Sequence, residues 1–303
     1  MTIVLNEPLS QISLLFVSAA MAFIALALVL FSLQLSKLLG QSAEERAKLS
    51  NLEKIGFAVT AVGTVVLGIG VVLRGIAAGR VPWANMYEFS ISAALLILLV
   101  YLTSLKIKDV RFIATFVTGF VLVTLFAAVS LFYVEVKTLM PALQSYWLVI
   151  HVTVAVLATA FFNIAAALAV AFLLRNWGWL NNSNSKALQL VKRVLSVFPE
   201  SKKLESLSYR FNMIGFILWT FTLAAGAIWA ERAWHRFWGW DTKEVWTFII
   251  WTIYAGYLHA TATRGWNGAR AAWLSLVGFA AILFNFTIVN LFFKGLHVYS
   301  GLK

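Results

Sequence analysis

Residues 147–174, WLVIHVTVAVLATAFFNIAAALAVAFLL, hold no charged side chain from end to end. About 20 apolar residues in a helix cross a hydrocarbon core roughly 30 Å thick, so this stretch reads as a membrane span. Working outward from it, seven further apolar runs emerge. The eight spans are expected at about 12–35, 55–74, 88–105, 112–134, 147–174, 211–230, 245–262 and 272–293. Of the 303 residues, 61% are hydrophobic and 12% charged, against about 25% charged in soluble globular chains. The expected fold is all-α, a polytopic transmembrane helical bundle in a single membrane domain over residues 1–303. The first run is too long for a signal-peptide core and more spans follow it, so a retained helix is expected.

The formal net charge is +12, which in a soluble chain would point to nucleic acid. Here Lys and Arg sort by loop instead. The loops after spans 1, 3, 5 and 7 carry 16 of them, and the opposite side carries 8. The positive-inside rule then places the 16-charge side in the cytoplasm and both termini outside. The largest cytoplasmic loop, about 176–210, contains KALQLVKRVLSVF, whose apolar residues recur at helical spacing between basic ones. An amphipathic helix on the inner leaflet is one reading of it, and a solvated connector the other. The chain has no cysteine, so it cannot perform thiol–disulfide exchange itself or build a thiolate metal site.

Four histidines are present, and a histidine within a span is costly unless paired, hydrogen-bonded or ligated. His151 sits about a turn inside the outer end of span 5, His297 follows the outer end of span 8, and His235 lies in the external loop of about 231–246. His259 is deep in span 7, on one helical face with Trp251 and Ala255. Two outer imidazoles from different helices could clamp a planar metallocycle, since haem iron takes two axial ligands and neutral imidazole is a common one. Ordinary hydrogen-bonded packing is the competing reading for each histidine alone. His259 by itself is half of such a site.

Between the outer histidines in sequence lies RFWGWDTKEVWTF, residues 236–248. Trp238, Trp240 and Trp246 suit an interfacial aromatic belt. A belt does not account for Asp241, Lys243 and Glu244 among them, which suggest a shaped pocket with rings to stack a ligand and polar groups to orient it. Asp241 and Glu244 also stand at capping-box spacing ahead of span 7. In RVPWANMYEFS, residues 80–90, Arg80 could pair a ligand carboxylate, or the segment is a structured turn around Pro82.

WGWDTKEVW resembles the Trp-rich "WWD" signature of membrane haem-handling proteins. With RVPWANMYE, LQSYWLVIHV, YLHATATRGW and GLHVYSG in the same order along the chain, it is similar to the system II cytochrome c biogenesis family, of the CcsA/ResC type (CcsB in some bacteria). The resemblance implies a haem-handling subunit of a cytochrome c synthase, or haem lyase, complex. Such a subunit works with a ResB-type membrane partner in a plasma or thylakoid-type membrane. It would bind haem b and present it at the external face for thioether attachment to CxxCH of apocytochrome c. By the same resemblance His151 and His297 are axial ligands of the external haem iron around the WWD pocket. His259 matches the family's membrane ligand, with its counterpart coming from the partner. Two positions depart from the family pattern: Thr242 replaces the usual proline, and His235 stands where a small residue is more common. The competing classes are a system I-like haem-delivery protein, a non-haem secondary transporter lined by Asn163, Asn285 and Asn290, and a structural scaffold.

Overall fold

The computed structural model describes residues 5–38, 50–139, 143–176, 198–263 and 265–297. Its long helices are α1 (Glu7–Lys37), α2 (Asn51–Ala78), α3 (Met86–Ile107), α4 (Ala114–Leu131), α5 (Tyr146–Arg175), α6 (Ser201–Trp234), α7 (Thr242–Thr263) and α8 (Ala269–Phe284). A 3₁₀ turn, Arg111–Ile113, precedes α4. Beyond Phe284 the chain continues through a π-helical segment, Asn285–Val289, and one last turn, Asn290–Phe292. Each of the eight expected spans lies within or closely over one of these helices. Seven are long and apolar enough to cross a membrane, and the chain is a multi-pass helical membrane protein. The exception is α7, whose Thr, Tyr, Trp and His residues dilute its hydropathy. Its 22 residues still reach about 33 Å at 1.5 Å per residue.

Two loops differ in extent from expectation. α6 starts at Ser201, not near 211, because Leu204, Leu207, Ser208 and Phe211 already form one buried face there. The expected amphipathic helix at 186–198 falls almost wholly on residues 177–197, outside the described residues. Between α6 and α7 only residues 235–241 lie outside helices, since capping by Asp241 and Glu244 starts α7 at once.

The bundle has two halves. In the first, Gly56, Gly63 and Gly70 recur every seventh residue along α2 and face α1, where a Cβ would come 2.7, 3.0 and 3.2 Å from Phe31, Phe23 and Phe16. This lets the backbones approach closely, the membrane counterpart of hydrophobic packing. Ser13 Oγ donates to Gly70 O across that seam at 2.7 Å. In the second half Phe162 of α5 and Tyr254 of α7 stack with centroids 3.8 Å apart, 13° from parallel. Gly215 of α6 meets the Phe162 ring and Gly278 of α8 meets the Tyr254 ring, so the two glycines clamp the stack from either side. A Cβ at 278 would come within 2.7 Å of Tyr254 Cζ. Gly278→Ala is expected to lower stability by about 1–3 kcal/mol, the usual cost of overpacking. Thermal unfolding in detergent checks this, and an unchanged Tm would refute the clamp.

Candidate functional site

Alternating helix direction brings the start of α1, α3, α5 and α7 and the end of α2, α4, α6 and α8 to one end of the bundle. A buried ion network ties the first half together there. Arg74, fully buried, donates to Glu88 Oε1 at 3.1 Å, to Ser10 Oγ at 2.8 Å and to the Val134 carbonyl at 2.7 Å. Arg80 donates to Glu88 Oε2 at 2.6 Å, and the Ala84 amide donates to the same oxygen. One carboxylate therefore serves two guanidiniums. Arg80, expected as a partner for a ligand carboxylate, is already engaged by Glu88.

At the same end, α6 presents Thr222, Gly226, Trp229 and Ala233 along one face. The imidazole of His151, from the first turns of α5, lies on that face. Its Nδ1 is 2.9 Å from the Thr222 carbonyl, which can only accept, so Nδ1 carries the proton and the lone pair is on Nε2. Gly226 makes room for the ring, since a Cβ there would sit 2.8 Å from His151 Cε1. Trp229, 1% exposed, stacks on His151 with centroids 5.8 Å apart and planes at 18°.

His297 reaches the same indole from beyond α8. Its ring meets Trp229 edge-to-face at 5.4 Å and Trp234 at 4.8 Å. His297 Nδ1 is 3.0 Å from Asp241 Oδ1. Asp241 also accepts from the Lys243 amide at 3.0 Å and the Leu296 amide at 2.8 Å. Burial works against its charge, but the His297 side chain and those two amides outweigh it and hold the carboxyl at about 2. Asp241 is therefore ionised at neutral pH and can only accept, so Nδ1 of His297 is the donor. A carboxylate or carbonyl fixing Nδ1 while Nε2 faces a metal is the usual support of a ligating histidine.

Glu244 builds the loop itself. Its Oε2 accepts from the Gly239 amide at 2.7 Å and the Asp241 amide at 3.1 Å, gripping both sides of Trp240, which is held at φ 60°. With Asp241 capping the Lys243 amide, the capping role expected for this pair is present. The Arg236 guanidinium folds into the space where Gly239 would carry a Cβ. His235 has φ 56° and closes α6 as its left-handed cap, a position that suits glycine. That is the physical reason for a small residue there, and it leaves His235 a backbone role.

The expected aromatic floor divides in two. Trp229 and Trp234 meet the histidines. Trp238 packs instead against Trp240, which is 77% exposed, and against Phe248. The ladder continues with Trp251 stacked on Phe248 at 5.8 Å and bonded through Nε1 to Thr220 Oγ1. Trp246 turns away to Phe284. His259, two turns beyond Trp251, is exposed on the outside of α7. Sequence reading passed over Trp229, Thr222 and Gly226. The available signal was their recurrence on one helical face, with a lone glycine one turn from a tryptophan.

The chain as a whole has relatives. Residues 83–297, from the segment before α3 to His297, match the family described as cytochrome C assembly protein. A cytochrome c biogenesis protein CcsA of Prochlorococcus marinus is 34% identical over 257 residues, covering 78% of this chain and 81% of the relative. The CcsA of Synechococcus elongatus is 32% identical over 289 residues, covering 83% and 89%, and that of Cyanophora paradoxa 31% identical over 288, covering 82% and 88%. Among solved structures, the cytochrome c heme lyase CcmF matches with a TM-score of 0.65 at 18% identity, over 94% of this chain and 47% of that one. The likeness to CcmF is one of fold, and the chain spans about half its length. The family match covers more than half of the chain, from Trp83 to His297, and on that match and those identities the chain belongs to the cytochrome c assembly protein family.

Proposed function

We propose that the chain serves cytochrome c maturation as a CcsA-type haem-handling subunit. In this reading His151 and His297 hold haem b at the outer face, where it is presented to the CxxCH motif of apocytochrome c. The observation that carries it is the pair of imidazoles on one buried indole, each with Nδ1 fixed by an acceptor, the support usual for a ligating histidine. The ligand set therefore fits the cofactor. Haem brings the vinyl groups to which the substrate thiols add. The protein's part is to hold and orient: Asp241 fixes His297, Thr222 fixes His151, and Trp229 and Trp234 line the space with rings. His259, exposed on α7 beside the Trp251–Phe248–Trp238–Trp240 ladder, is read as the membrane-level ligand, completed by a ResB-type partner against that outer surface. The twofold bias in basic residues supports placing this end of the bundle outside, in a plasma or thylakoid-type membrane.

The test is purification from cells supplied with haem, alone and with the partner. A low-spin, six-coordinate spectrum from this chain supports the outer site, and absence of haem from both preparations sinks it. Gly226→Ala supplies a finer check. The added methyl displaces His151 from Thr222, so haem retention should fall about 10- to 100-fold, the range for lost support of a ligand. Overpacking of this kind costs about 1–3 kcal/mol, offset in part by alanine's helix propensity of up to about 1 kcal/mol, so haem retention is compared in protein shown to be folded by its Tm. Undiminished haem in Gly226→Ala argues against His151 as a ligand held in this pose.

A further inference from the structure

The last helix carries an irregularity at the residues facing Lys243. α8 is regular to Phe284, then π-helical over Asn285–Val289, and regular again to Phe292. A π-segment accommodates one extra residue and leaves carbonyls without their usual partners, and such bulges concentrate at functional sites. Here the carbonyls have substitutes. Lys243 Nζ donates to the Asn285 carbonyl at 3.3 Å and to Asn290 Oδ1, while Asn290 Nδ2 donates to the Phe286 carbonyl at 2.7 Å. The Lys243 backbone amide donates to Asp241 Oδ1, the oxygen that accepts His297 Nδ1. The first turn of α7 thus grips the end of α8 twice, once at the bulge and once at residues 296 and 297.

We infer that Lys243 is a positioning residue, whose Nζ pins the π-segment of α8 and so sets the rotation and reach at which His297 meets Asp241 and Trp229. The physical reason lies in helix register. If the bulge relaxes into regular α-helix with the same number of residues, everything after it turns by about 100° and moves about 1.5 Å along the axis. His297 would leave the Trp229 indole. A lysine in this role must reach a carbonyl that the regular helix would have used, and Lys243 does so through a half-buried side chain that bridges two helices. Its haem consequence rests on the proposed ligand role of His297, whereas its structural consequence does not.

The chain has no cysteine, which permits a direct measurement. Spin labels at Leu296→Cys and Ile76→Cys, both exposed positions, report the reach of the α8 end by pulsed electron resonance. In Lys243→Met the distance distribution should move or broaden by about 5–8 Å, the displacement of a helix-surface atom turned by one residue. Asn290→Leu, which removes the second anchor, should do the same. Deleting Thr287 in the Lys243→Met background absorbs the extra residue and should return the parent distance. Lys243→Arg should keep it. Parent distances in both Lys243→Met and Asn290→Leu overturn the proposal, as does a shift that the deletion fails to reverse. The haem spectrum is read on the same samples. If distances shift while His297→Ala retains the parent spectrum, the ligand reading falls and the positioning role stands.

Discussion

His151→Ala and His297→Ala are each expected to abolish the six-coordinate haem spectrum of the purified protein and to reduce c-type cytochrome production at least tenfold. Each substitution removes an Nε2 donor and cannot be compensated from within the site, because the other two histidines lie elsewhere: His235 caps α6 and His259 is exposed on α7. Added imidazole should restore part of the spectrum, since the gap left by a truncated ring is the shape of the free base. The two losses should differ in one respect. His297→Ala leaves the Asp241 carboxylate with its amide donors but without the ring N–H, a polar site next to the loop. His151→Ala leaves only the neutral Thr222 carbonyl facing a gap between Gly226 and Trp229, a weaker acceptor than a carboxylate. Imidazole rescue should therefore be stronger for His297→Ala, where Asp241 can still bind and orient it. Unchanged spectra in both variants would remove the axial-ligand assignment, and equal rescue would remove Asp241 from the orienting role.

Glu88→Ala should cause the largest loss of stability. The substitution strands Arg74 and Arg80 beside each other, with Arg74 fully buried. Breaking a buried pair by removing one partner costs about 3–5 kcal/mol, because the remaining charge stays unpaired in a poor dielectric. Here one carboxylate neutralises two cations, so the upper part of that range applies, with a fall in Tm of about 10 °C. Glu88→Gln should cost less, since an amide oxygen still accepts from one guanidinium. Arg80→Ala should also lower Tm, because Arg80 is engaged by Glu88 and not held in reserve for a ligand. Thermal unfolding in detergent, with haem content measured alongside, checks the order. Loss of haem at unchanged Tm in Arg80→Ala would instead return Arg80 to the ligand.

Sequence by itself determined the number and place of the helices, because a backbone in hydrocarbon must satisfy its own hydrogen bonds and about 20 uncharged residues suffice to cross. It also singled out His151, His297 and the acids of WGWDTKEVW, since polar groups are rare against an apolar background and so stand out. Which aromatic rings belong to the histidines was not legible. Trp238 and Trp240 dominate the motif, yet Trp229, inside an apolar run where a tryptophan attracts no notice, is the ring that touches both imidazoles. Arg80 read as available because nothing local shows that Glu88 takes its charge. The π-segment of α8 is marked only by Asn285 and Asn290, and two asparagines in an apolar run do not announce a π-turn. These features depend on which faces of α5, α6, α7 and α8 meet, and that is set by close approach at Gly215, Gly226 and Gly278. Periodicity along one helix says which side is apolar. Only the packing of several helices decides what lies across from it.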